Sequence, residues 1–115
     1  MTPIGKIVRY TLPTQTATIA NAATTSSEIK LDGAAFGGVI LPATMTGTTM
    51  TFTVSDASGG TYVALTDSAG NAISQTIAAS KGFALPPEAF AFPYLKLVSG
   101  SAEGGARSIL VTTGA

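Results

Sequence analysis

Hydrophobic and polar residues alternate along most of this chain with a period of two, the spacing of a β-strand buried on one face. The clearest run sets Met50, Phe52 and Val54 against Thr49, Thr51, Thr53 and Ser55. Residues 15–20 repeat the pattern, with Gln15, Ala17 and Ile19 on one side and Thr16 and Thr18 on the other. Residues 28–32 direct Ile29 and Leu31 inward and Glu28, Lys30 and Asp32 outward. Residues 36–41 are almost continuously apolar and predict a buried strand. Segments 4–12, 62–66, 72–78, 94–99 and 108–112 bring the expected strands to nine.

Turn chemistry separates these runs. Asp32-Gly33, Thr46-Gly47-Thr48, the stretch 56–60 and the stretch 67–71 combine Asp, which bonds its own backbone, with Gly, which supplies positive φ. Residues 62–78 therefore predict a hairpin turning at 67–71. The glycine-rich stretch 100–105 reads as a second hairpin loop. Pro86 and Pro87 exclude a central strand at 85–90 and suggest one short helical turn with Pro87 near its start. Many short strands at regular spacing predict an all-β fold, an antiparallel β-sandwich of jelly-roll or related Greek-key topology. Residues 13–115 form one such domain, preceded by a strand or arm over residues 1–12.

Composition narrows the function. The chain has 115 residues, of which 10% are charged, with six basic and six acidic residues and neither Cys nor His. The missing cysteines exclude a disulfide framework, a thiolate nucleophile and a cysteine metal site. The missing histidines exclude the usual base at neutral pH and any Ser-His-Asp triad. Zero net charge with scattered basic residues argues against nucleic acid and against a polybasic membrane mode. From Gly33 to Ser55 no residue is charged, but six threonines, four glycines and Pro42 make that run a poor membrane span. No apolar leader precedes the first strand, so the chain is expected to fold in the cytoplasm where it is made.

Candidate chemistry is sparse. Ser27-Glu28-Ile29-Lys30 matches the bare Ser-x-x-Lys pattern of acyl-transfer enzymes, but on a strand positions three apart face opposite sides. Asp56 and Asp67 belong to turns, Glu88 follows two prolines and Glu103 lies among glycines, so each has a backbone reason for its place. The Asp56 and Asp67 loops lack the closely spaced acids of a dedicated calcium site. Tyr62, Phe90, Phe92 and Tyr94 are the residues that would stack on a sugar. Arg9, Lys96 and Arg107 read as solvated charges on strand faces. No catalytic residue, metal site or cofactor is expected.

One further pattern runs through most of the chain. Thr18-Ile19-Ala20, Ile29-Lys30-Leu31 and Gly38-Val39-Ile40-Leu41-Pro42-Ala43 are followed by Met50-Thr51-Phe52-Thr53-Val54-Ser55 and Tyr62-Val63-Ala64-Leu65. Leu85-Pro86-Pro87, Tyr94-Leu95-Lys96-Leu97-Val98-Ser99-Gly100 and Ala106-Arg107-Ser108-Ile109-Leu110-Val111 complete it. This succession resembles a family of small tailed-phage virion proteins. The resemblance implies a β-sandwich serving as a capsid cement or decoration subunit, with homo-oligomers and the major capsid protein as partners and the virion as location. It carries over no catalytic residue. Residues 1–12 stand apart from it; Ile4, Lys6, Ile7, Arg9 and Tyr10 there are the candidate partner-contact residues, on an arm that adds to a neighbour's sheet or on an ordinary first strand. The alternative function is carbohydrate recognition at a host surface.

Overall fold

The computed structural model describes residues 12–115; over that span the chain forms nine strands and one short 3-10 helix, and the strand expected at 4–12 falls almost wholly outside it. The strands are β1 (Gln15–Ile19), β2 (Ile29–Lys30), β3 (Phe36–Ile40), β4 (Thr49–Ser55), β5 (Val63–Ala64), β6 (Gln75–Thr76), β7 (Gly82–Ala84), β8 (Tyr94–Ser99) and β9 (Arg107–Gly114). One sheet runs β1-β9-β3-β7; the other runs β2-β8-β4-β5, with β6 also on β4. Every pairing is antiparallel, and the pairs are nested: β1 with β9, β2 with β8, β3 with β7, β4 with β5 and β6. The chain thus folds as a doubled ribbon bent over itself into an antiparallel β-sandwich. Among the described residues no helix is long and apolar enough to cross a membrane.

The inward positions of both sheets build one core. Ala17 and Ile19, Val39, Met50, Phe52 and Val54, Leu95 and Leu97, and Ile109 and Val111 are all buried, as the alternation requires. Phe83 from β7 meets Phe52 edge to face, with ring centroids 6.3 Å apart. Residues before and within β2 close the sandwich along one side. Ser27 N–H donates to Thr18 O at 2.9 Å, and the Gln15 side-chain amide donates to Lys30 O and accepts from Lys30 N–H at 2.6 and 2.8 Å. Gln15 therefore stands in for a backbone partner of β2.

Four expectations need correction or extension. The run 36–41 is not buried on both faces: Val39 and Leu41 enter the core, while Phe36 and Ile40 are 46% and 50% exposed. The turn at 67–71 forms, with Asp67 Oδ1 accepting from Ala69 and Asn71 N–H and Gly70 at φ +84°. Its flanks pair as a hairpin only briefly, through the antiparallel Thr66–Ala72 bridge with Asp67 N–H donating to Asn71 O and Ile73 N–H to Leu65 O. Beyond it β5 and β6 both pair with β4, end to end along one edge. The stretch 100–105 is no hairpin either, since it carries the chain from β8 in one sheet to β9 in the other. Strand β7 was not legible: Gly82 and Ala84 are too small to show an alternation around Phe83. The 3-10 helix Pro87–Ala91 forms where the prolines placed it.

Candidate interaction surface

The outer face of the β1-β9-β3-β7 sheet follows directly from strand alternation. The register aligns Thr16, Leu110, Ile40 and Gly82 in one row across all four strands. The next row holds Thr112, Gly38 and Ala84, and Phe36 lies beyond, opposite Gly114. With Thr18 and Ser108 added, no outward position on these strands is charged. Leu110 and Ile40 stand side by side and are 39% and 50% exposed. Gly38 beside them is open: a Cβ there would meet only ordinary contacts, 3.5 Å from Phe83 O and 3.6 Å from Thr112 Oγ1. The face is an uncharged surface of hydroxyls and small residues with an apolar ridge.

The outer face of the other sheet is different. The chain between β4 and β5 folds Tyr62 over it, and Lys96 Nζ lies 4.5 Å from the centre of the Tyr62 ring. Glu28 anchors this cover by accepting from Ser58 Oγ at 2.6 Å, from Gly59 N–H at 2.9 Å and from the Tyr62 hydroxyl. The Ser58 and Tyr62 hydroxyls and the Gly59 N–H, helped by Lys96, bring the Glu28 carboxyl down to about 2. Burial, and then the Glu28 carboxylate, push the Tyr62 hydroxyl upward.

Glu103 forms a second carboxylate centre at one end of the sandwich. Its side chain is buried and accepts from Thr46 N–H (2.8 Å), Gly47 N–H (2.9 Å), Ser99 Oγ (2.7 Å) and Arg107 Nε (2.9 Å). Its backbone pairs with the turn at Ala22 and Ala23. Burial pushes its carboxyl up, but the four donors outweigh that and hold it at about 2. Gly47 leaves the room this needs, since a Cβ there would collide with the Ser99 hydroxyl. The loop at Thr46 and Gly47, the end of β8 and the start of β9 thus clasp one buried, fully bonded carboxylate, and the turn at Ala22 and Ala23 joins them through the Glu103 backbone.

The residues singled out from sequence are dispersed. Ile4, Lys6, Ile7, Arg9 and Tyr10 lie outside the described residues. Arg107 is not solvated but bonded to Glu103, and Lys96 is engaged with Tyr62. Ser27 Oγ accepts from Thr18 N–H, so its hydroxyl serves the seam between the sheets. Asp67 serves its own turn, and Glu88 sits in the first turn of the 3-10 helix. Phe90 packs against the core, and Phe92, 38% exposed, shares an open groove with Phe90 and Asp32. Among the described residues no three acidic side chains gather as a metal site would require.

The same architecture occurs in the crystal structure of the SPBc2 prophage-derived protein YomS. The two superpose with a TM-score of 0.58 at 12% sequence identity, over 98% of this chain and 100% of that one. At that identity the likeness establishes a shared fold. No protein-family model and no curated protein sequence matches the chain.

Proposed function

We propose that the protein is a non-enzymatic structural subunit of a phage virion, a capsid cement or decoration protein. It acts by homo-oligomerisation and by contact with the major capsid protein, and after synthesis in the host cytoplasm it resides in the virion. The observation that carries this reading is the uncharged outer face of the β1-β9-β3-β7 sheet. Burying such a face against a neighbour strips water from no charge, so the main desolvation cost of an interface is absent. The sandwich shared with a prophage-derived protein supports the same reading. The two carboxylates that depart from ordinary acidity are both saturated with donors, which suits anchoring rather than proton transfer. The test is mass spectrometry of purified particles from a producing strain. Recovery in fixed stoichiometry with the major capsid protein is expected, and absence from the particles overturns the proposal.

A second reading, carbohydrate recognition, rests on the groove that combines Phe90 and Phe92 with Asp32. An aromatic ring beside a carboxylate is the minimum a sugar site needs. Binding to a glycan array that is lost on Phe92→Ala would favour it. An array without hits would remove it.

A further inference from the structure

Within the structural role proposed above, on which this inference rests, we infer that the uncharged sheet face is the contact for a second copy of the same chain. The two copies pack face to face about a twofold axis. In such a pair every residue meets a surface of its own composition, so a patch can serve both sides only if it does not repel itself. This face meets that condition without arrangement, because none of its outward positions is charged. A partner read through charge would need a complementary sign, and the face offers none to read.

Relief points the same way. Leu110 and Ile40 form a ridge across the two central strands. The adjacent row opens a hollow at Gly38 and Ala84, where the surface lacks large side chains. Stacked sheets lie about 10 Å apart, and that spacing needs large side chains on one sheet to enter gaps on the other. A twofold rotation sets the ridge of each copy against the hollow of the other. The size is also informative. Four strands about 4.8 Å apart, each rising about 3.4 Å per residue, give a face of roughly 400 Å² in projection. Even with the extra accessible surface that a corrugated face has over its projection, that lies below the roughly 800 Å² of accessible surface per partner of a standard stable interface. The pair is therefore weak in dilute solution and becomes tight where other contacts already hold the copies close together.

Sedimentation equilibrium of the whole chain from roughly 10 µM to 1 mM tests this in the range where so small an interface associates. A monomer–dimer equilibrium is expected. Leu110→Asp, which adds a charge to the ridge, and Gly38→Thr, which fills the hollow with a residue suited to strands, should each weaken it on the order of tenfold or more. Thr76→Asp on the opposite sheet should leave it unchanged. Thermal melts of the same samples show whether each variant is folded, and Gly38→Thr is chosen because its Cβ meets no clash. A protein that stays monomeric at the highest concentration overturns the inference, as does association untouched by both variants. Either result can stand beside recovery of the protein in virions, so the dimer and the virion role fail separately.

Discussion

Glu103 and Glu28 each collect hydrogen bonds from loops and each is held near a pKa of about 2, yet one is sealed in the end of the sandwich and the other lies at its surface. Around Glu103 the donors have few alternatives: without the carboxylate the buried Gly47 N–H loses its acceptor, and the Arg107 guanidinium falls back on Thr46 Oγ1 at 3.2 Å. Around Glu28, water can replace the carboxylate at Ser58 and Gly59, which are exposed. Similar acidity therefore does not mean similar importance. What differs is the state left behind when the charge is removed.

The largest effect is expected from Glu103→Ala. Loss of one partner of a buried ion pair costs about 3–5 kcal/mol, a large share of a small domain's stability. Urea unfolding of the purified variant measures it, and a loss below about 1 kcal/mol would place Glu103 with ordinary surface carboxylates. Next comes Gly47→Ala, which leaves every charge in place but drives a methyl into the Ser99 hydroxyl. Strain of this kind costs typically 1–3 kcal/mol, read by the same unfolding curve.

Acid acts on both centres together. A carboxyl whose folded pKa lies below its unfolded value stabilises the fold fully above the unfolded value, and that contribution is lost as pH falls through the folded one. Stability should therefore decline between about 4.5 and about 2. Melting temperature measured across that range should fall in the native chain, with a clearly shallower slope in Glu103→Gln. The smallest effect is expected from Glu28→Gln. It should lower the melting temperature less than either change at the clasp and should raise proteolytic nicking within the 56–62 segment. Equal destabilisation by Glu28→Gln and Glu103→Gln would erase the distinction between the two centres.

These centres also show what a sequence discloses. The alternation of Met50, Phe52 and Val54 with threonines is a local signal, and the strand it predicts is β4. Glu103 gives almost no local signal, because two of its donors lie 57 and 56 residues away at Thr46 and Gly47. The one available hint was Arg107 four residues on, a pairing easily passed over in a stretch read as a loop. Strand partners were hidden for a related reason. Residues 62–66 and 72–78 carry good strand and turn patterns, yet nothing local says that they pair with each other only beside the turn and that both then turn to β4. The neutral face was half legible. Its threonines and its low charge stand in the sequence, but only the register puts Leu110 beside Ile40 and Gly38 beside Thr112.

The Gln15 amide on the Lys30 backbone has a consequence for the protein as a crowded solute. An unpaired strand edge is a template that recruits any extended segment, and at high concentration that segment comes from another copy of the same chain. A side-chain amide satisfies the template at Lys30 but offers no backbone of its own on which a further strand could grow. Gln15 thus acts as a chain terminator for sheet extension. In the pairing inferred above, by contrast, an uncharged sheet face takes one partner and is then closed.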